Sequence, residues 1–256
     1  MSTHAIFESL RRLGGPRPLV AAHRGDSVHH PENTLAAFRA AAALDVPIQE
    51  FDVRQLRCGA LVCVHDETFD RTTDAARAFG PGALVAQLTL EECRRLDAGG
   101  GQRVPTLRDA LDVMLPHSVA LIEHKAGDAA RFVAEVEATG HADRCVLQSF
   151  DWRFLQEVHR IAPHVALGAL GPNPVFAAPD GEAVRVAQAC GAGMVHWRAN
   201  ALTEACVAQL HAAGVFVCSY TTDDELGWRG GAAIGIDAMC TNDPAAMQAV
   251  MATLRR

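Results

Sequence analysis

Lysine is almost absent from this chain: of its 23 basic residues only Lys125 is a lysine, and the other 22 are arginine. Tyrosine is as rare, with Tyr220 alone, and aromatic residues make up 5% of the 256 positions. Basic clusters are also missing. The arginines are spread along a chain of net charge -7, which argues against nucleic acid as a partner, because phosphate backbones are bound through clustered cations and counterion release. No apolar run approaches the roughly 20 residues that span a bilayer, and residues 1–12 lack the basic, apolar, small-residue order of a secretory signal. The expectation is a cytoplasmic protein with no stable membrane insertion. The eight cysteines include no Cys-x-x-Cys pair, and several sit in apolar runs where cysteine behaves as a small hydrophobe. That pattern fits a reducing compartment and points away from a disulfide framework or a zinc site.

What is present is enough apolar residue, 49% of the chain, to bury a real core. Short Val-, Leu- and Ile-rich runs at 19–23, 47–53, 118–123, 144–148, 164–170, 193–196, 214–220 and 236–240 read as strands. Between them, Ala- and Leu-rich stretches of helical period cover 34–44, 106–115, 128–139, 151–161, 181–190, 203–213, 223–227 and 243–254. Eight strands alternating with eight helices predict the α/β class and a (β/α)₈ TIM barrel, one domain over residues 1–256. The second unit is the exception, with an insertion at about 54–104 before its helix. It holds a hairpin extension at 61–64, a Gly/Pro segment at 79–83, a short helix near 90–96 and glycines at 99–101. Loops of this length are usually functional or disordered, and this one reads as a small cap over the barrel mouth.

In such barrels the chemistry stands at the C-terminal ends of the strands. The first predicted strand ends in His23-Arg24-Gly25, the second carries Glu50 and Asp52, and the third ends in Glu123-His124-Lys125. Residues two apart on a strand share a face, so Glu50 and Asp52 point together, and an inward face brings Glu123 beside them. Three carboxylates at one place need a cation, and an all-oxygen ligand set favours Mg²⁺ or Ca²⁺ with open positions for water or substrate. A single one of these acids could equally face a helix and pair with an arginine. His23 and His65 are the candidates for proton transfer, since imidazole titrates nearest neutrality. Asp66 either orients His65 or caps a turn. Arg24 offers a fork suited to phosphate. Lys125, two residues beyond Glu123, should face the same way and supply a compact ammonium to phosphoryl charge, unless it is an ordinary solvated lysine.

These elements, taken in order, resemble the glycerophosphodiester phosphodiesterase family in its compact bacterial form. The matching segments are His23-Arg24-Gly25 followed by Pro31-Glu32-Asn33-Thr34, then Glu50-Phe51-Asp52-Val53 and Val64-His65-Asp66 with Arg71-Thr72-Thr73. Val104-Pro105-Thr106-Leu107, Ile122-Glu123-His124-Lys125, Ser149-Phe150 and Thr241-Asn242-Asp243-Pro244 continue the match nearly to the C-terminus. The resemblance implies divalent-metal-dependent hydrolysis of a small-molecule glycerophosphodiester to glycerol 3-phosphate and an alcohol. It implies Glu50, Asp52 and Glu123 as metal ligands, His23 and His65 as the acid/base pair, and Arg24 and Lys125 as phosphate contacts. Glu32 is implied to hold Arg24 and the metal shell in place. The mechanism implied runs through attack by the substrate's glycerol 2-hydroxyl and a cyclic phosphate that water then opens.

The chain departs from the family pattern at Leu56 and Cys58-Gly59, where a Thr and an Asp-Gly are usual, a difference expected in a turn. Tyr220-Thr221-Thr222-Asp223 stands where Trp-Thr-Val-Asn is common. Tyr220 either forms an aromatic wall of the pocket or packs the barrel, and His196, ending the sixth strand, is a further lining candidate. A lysophospholipase D-like activity on lipids would need an apolar entrance, and the cap's Phe69, Phe79, Leu84, Val85 and Leu88 are few and dispersed. A catalytically dead binding barrel is the reading of another class, opposed by the presence of all five metal and proton-transfer positions. The oligomeric state is left open, a homodimer being compatible.

Overall fold

The structure is a computed structural model that describes residues 5–254. A helix α1 (Ala5–Gly14) precedes β1 (Leu19–His23), α2 (Leu35–Ala43) and β2 (Ile48–Gln55). The insertion contributes β3 (Leu61–Cys63), α3 (Ala75–Phe79) and α4 (Leu90–Cys93) before α5 (Leu107–Met114). The chain then alternates through β4 (Val119–Ala126), α6 (Ala129–Glu137), β5 (Cys145–Ser149), α7 (Trp152–Ile161), β6 (Ala166–Gly171) and α8 (Gly181–Ala189). It ends with β7 (Ala192–Arg198), α9 (Glu204–Ala212), β8 (Phe216–Tyr220), α10 (Glu225–Ala233), β9 (Ala238–Thr241) and α11 (Pro244–Thr253).

Local chemistry explains where these helices start. Thr34, Thr106, Asp151, Asp180, Thr203, Asp224 and Asp243 each stand at the N-cap of a barrel helix and accept a backbone N–H of its first turn, satisfying donors that the helix itself leaves open. At α5 the cap is reciprocal, with Asp109 accepting the Thr106 N–H.

All strands but β3 pair in parallel, and β1 bonds to both β2 and β9, so the eight parallel strands close into a barrel with the helices outside. This is the (β/α)₈ arrangement anticipated from the strand count. β3 pairs antiparallel with the end of β2, Val53 opposite Cys63, and lies outside the ring. Around it the insertion builds a small core of its own from Leu56, Val62, Val64, Phe69, Val85 and Leu96.

Alternation along the parallel strands sorts their side chains. Leu121, Val146, Ala166, Met194, Phe216 and Ala238 face inward and form the lower barrel core, which Phe7 and Leu10 of α1 plug from below. The sequence reading missed α1. Its apolar stripe is two buried residues long and makes sense only against the open bottom of the barrel. It also ended α10 at 227, whereas the helix runs to Ala233. The glycines there weaken helix propensity, but a Cβ on Gly231 would lie 2.3 Å from Met239 Sδ, so the glycine suits the close packing of α10 on β9.

Gly25 matters more directly to the site. It adopts φ +81°, and a Cβ there would meet the Ala37 backbone at 2.6 Å. It is what lets the turn after His23 and Arg24 lie flat on α2. Gly25→Ala is expected to destabilise the protein by about 1–3 kcal/mol, read as a lower urea midpoint.

Candidate active site

The upper layer of the barrel interior is acidic because of register. Glu50 and Asp52 face inward from β2, and Asp52 lies opposite Glu123 of β4. His23 of β1 pairs with Glu50. The carboxylates of Glu50, Asp52 and Glu123 are buried, with one oxygen from each lying within 4.8 Å of the others. Glu50 Oε2 has no hydrogen-bond partner among the described residues. Burial, followed by the charges of Asp52 and Glu123, pushes the Glu50 carboxyl well above its ordinary pKa, and burial together with Asp52 raises Glu123. Asp52 moves the other way despite its burial, held down by Arg24 and Lys125.

Lys125 faces the same interior. Its ammonium contacts Glu123 and reaches Asp52 Oδ1 at 3.2 Å. Burial pulls its pKa down, yet the charges of Asp52 and Glu123 raise it above the usual value. His124, between the two, turns to the opposite face and stacks on Phe154 with ring centroids 3.7 Å apart.

Arg24 is held from several sides. Its backbone is left-handed, φ +59°, its N–H donates to the Glu50 carbonyl at 2.7 Å, and its carbonyl accepts from Asn33 N. Its guanidinium donates to Glu32 Oε1 at 2.8 Å and lies 2.9 Å from Asp52 Oδ2. Asn33 then fixes Asp52 twice, donating from Nδ2 to Oδ2 at 2.9 Å and accepting the Asp52 N–H. Glu32 therefore stands beside Arg24.

The two histidines are each oriented through Nδ1. His23 Nδ1 meets Asn242 Oδ1 at 2.7 Å, and Asn242 donates its amide to Asp223, so its oxygen must face the imidazole. This puts the His23 proton on Nδ1 and leaves Nε2 toward Glu50, 3.9 Å away. Burial first, then Arg24, drives the His23 pKa down to about 4. His65 Nδ1 lies 2.6 Å from Asp66 Oδ1, so Asp66 orients the ring.

His23, Arg24, Glu50, His65, Glu123, Lys125, His196 and Tyr220 surround one cavity of about 170 Å³, with Phe150, Leu170 and Thr221. Asp52 lies beneath them and Glu32 behind Arg24. Tyr220 donates its hydroxyl to the Gly171 carbonyl at 2.8 Å and stands edge-on to His196 and Phe150, which makes it wall and packing element at once.

Comparison with known proteins now bears on this geometry. The model of the glycerophosphoryl diester phosphodiesterase family matches residues 23–246. The chain belongs to this family. A glycerophosphodiester phosphodiesterase from Caldanaerobacter subterraneus is 36% identical over 168 residues, 60% of this chain and 67% of its relative. One from Bacillus subtilis is 27% identical and covers 91% of this chain and 86% of its own. Among solved structures, an Oleispira antarctica phosphodiesterase in complex with the product sn-glycerol-3-phosphate superposes with a TM-score of 0.82 at 25% identity, over 93% of this chain and 98% of its own. The Agrobacterium tumefaciens glycerophosphodiester phosphodiesterase gives 0.75 at 26% identity, over 91% and 99%. This member of the glycerophosphoryl diester phosphodiesterase family is thus a phosphoric diester hydrolase acting on glycerophosphodiesters.

Several residues that shape the site were not read as such from the sequence. Arg71 is the chief one. It holds Glu32 with both terminal nitrogens, each at 2.8 Å, and Asp66 Oδ2 with Nε at 2.5 Å. One cap residue thereby braces Arg24 through Glu32 and His65 through Asp66, and it holds the Asp66 carboxyl well below the usual carboxylate range. Asn33, Asn242 and Gln148 are the others. The first two, like Arg71, lay inside quoted motifs, but their partners are distant in sequence. Arg71→Ala is expected to lower kcat/KM for a glycerophosphodiester by about 10–100-fold, the usual cost of losing an outer residue that orients groups of the site. Arg71→Lys, without the planar fork, should recover only part of it in the same steady-state assay.

Proposed function

We propose that this hydrolase is metal-dependent, with Glu50, Asp52 and Glu123 holding one hard divalent cation, Mg²⁺ or Ca²⁺, and with His23 and His65 carrying the protons. A charge count supports the cation. Three buried carboxylates against Arg24 and Lys125 leave the inner cluster with one negative charge when all are ionised, a surface that repels a phosphodiester. A divalent ion reverses that sign. The donors fit such an ion, since all are carboxylate oxygens and Glu50 Oε2 is buried without a hydrogen-bond partner among the described residues. When bound, the cation supplies positive charge to the phosphoryl oxygens and favours the pentavalent transition state.

The protein groups do the rest. Arg24, braced by Glu32, and Lys125 face the same charge from the other sides of the cavity. His23, kept neutral by burial and Arg24, takes the proton from the glycerol 2-hydroxyl at Nε2. That oxygen attacks phosphorus, and the P–O bond to the alcohol breaks as His65 protonates the departing oxygen. Water, deprotonated by His65, then opens the cyclic phosphate, and His23 returns its proton to the 2-oxygen. Phe150 and Tyr220 bound the space for the alcohol.

The cavity's size, about 170 Å³, favours deacylated substrates such as glycerophosphocholine or glycerophosphoethanolamine. Of the cap's apolar side chains, Phe69, Val85 and Leu88 are buried in its own core and offer no lipid entrance. A cytoplasmic location suits such water-soluble substrates, and no helix among the described residues is long and apolar enough to cross a membrane.

Asp52→Ala, Glu50→Ala and Glu123→Ala are each expected to abolish release of glycerol 3-phosphate, and chelation of the wild type should do the same reversibly. Turnover that survives chelation would remove the cation from the reading. Assayed with Mg²⁺ and with Ca²⁺, deacylated diesters should be cleaved in preference to lysophospholipids. Lys125→Arg should lose turnover by about tenfold or more, because the planar fork does not replace a compact ammonium between two carboxylates. Kinetics equal to wild type would make Lys125 an incidental lysine.

A further inference from the structure

The wall of the barrel formed by β7, β8 and β9 carries a second group of metal-ligating side chains that phosphodiester chemistry leaves unused. His196 and Cys218 are register partners on β7 and β8, and Cys240 follows on β9. All three are buried, and one ligand atom of each, imidazole nitrogen or sulfur, lies within 4.8 Å of the other two. The absence of a Cys-x-x-Cys pair had argued against any thiol-rich metal site. Barrel closure overrides that reading, because parallel strands bring together residues that no local spacing connects.

The imidazole is the second observation. His196 Nδ1 bonds Gln148 Oε1 at 2.8 Å, and Gln148 turns its amide nitrogen to Glu50 Oε1 at 3.4 Å, which fixes which end of the amide faces the ring. The proton is therefore on Nδ1. Nε2 is buried and makes no hydrogen bond of ordinary geometry among the described residues, with the Cys218 thiol as its polar neighbour. A histidine that donates one ring N–H to a neighbour and aims the other nitrogen at open ligands is the arrangement in which imidazole binds metal.

We propose that His196, Cys218 and Cys240 form a site for one thiophilic cation of the Zn²⁺ class, separate from the oxygen site of Glu50, Asp52 and Glu123. One nitrogen and two sulfurs suit zinc and its soft or borderline neighbours and are poor ligands for Mg²⁺ or Ca²⁺. Each thiol releases its proton to solvent on binding. Three protein ligands leave a fourth position, and because His196 lines the active-site cavity, the cation enters from there.

Cobalt(II) is the probe, since thiolate ligation gives a sulfur-to-cobalt charge-transfer band that carboxylates cannot produce. The full chain, reduced and stripped of metal, is titrated with Co²⁺ in excess Mg²⁺, which occupies oxygen sites. The expected result is a charge-transfer band saturating at one equivalent and erased by Zn²⁺. Cys218→Ser and Cys240→Ser should each abolish it and weaken Co²⁺ binding by about tenfold or more, while Cys58→Ser with Cys206→Ser, at the exposed and half-buried thiols, should leave it intact. If serine in the barrel interior impairs folding, Cys218→Ala supplies an apolar replacement with the same expectation. A wild type without the band, a band that persists in the folded Cys218 and Cys240 variants, or one lost with Cys58 and Cys206 would overturn the proposal.

Discussion

Mutual repulsion among three buried carboxylates is the constraint around which the upper barrel is arranged. Strand alternation turns Glu50, Asp52 and Glu123 to the same interior, and at separations of up to 4.8 Å each ionised pair repels by about 3–4 kcal/mol at the effective dielectric of a protein site. Nothing in the apolar layer beneath relieves this. The compensation has to come from the rim, and it does so unevenly: Asp52 touches both Arg24 and Lys125, Glu123 touches Lys125, and Glu50 touches neither. Glu50 is accordingly the acid whose pKa rises most clearly. A left-handed Arg24, a glycine after it that no other side chain could replace and an asparagine clamped to Asp52 all serve to bring the cationic side chains to the carboxylates.

The cap belongs to the same arrangement. Its small core of Leu56, Val62, Phe69, Val85 and Leu96 is distinct from that of the barrel, and β3 ties it to the end of β2. The strand leads directly into His65 and Asp66, and Arg71 returns from the cap to hold Asp66 and Glu32 together. His65 and Arg24, the proposed proton donor and phosphate contact, are thus both braced by a single guanidinium on an element outside the barrel. A shift of the cap moves both.

How much of this the sequence discloses depends on the range of the interaction. Alternation along a strand is local, so the inward pairing of Glu50 with Asp52 and of Glu123 with Lys125 could be read from spacing, and barrel architecture from the repeat of strand and helix. The helix ranges expected from periodicity open within one residue of the Thr and Asp caps found in the structure, a signal that is equally local. Partnerships across the barrel are not local. Asn242 on His23, Gln148 between Glu50 and His196, and α1 against the open bottom each depend on closure of the ring, which no residue announces locally. The cysteines are the sharpest case: a rule about short spacing said nothing of Cys218 and Cys240, because neighbouring parallel strands are separated by a whole helix in sequence yet stand side by side in space.

The scarcity of lysine also gains a physical reason at this level. Wherever the site needs a planar, two-pronged contact it uses arginine, with Arg71 gripping Glu32 by both nitrogens and Arg24 spanning Glu32 and Asp52. Between Asp52 and Glu123 the task differs. The two carboxylates belong to adjacent strands and face each other across a narrow buried gap, so the group that joins them must be compact, must donate in diverging directions and must keep its charge while largely desolvated. An ammonium meets the first two requirements, and the two acids themselves secure the third by raising its pKa against the pull of burial. A guanidinium in the same gap would have to present its fork edge-on to one carboxylate and would leave the other short of a partner. In a chain that otherwise uses arginine throughout, one lysine stands where the geometry of the carboxylates calls for an ammonium.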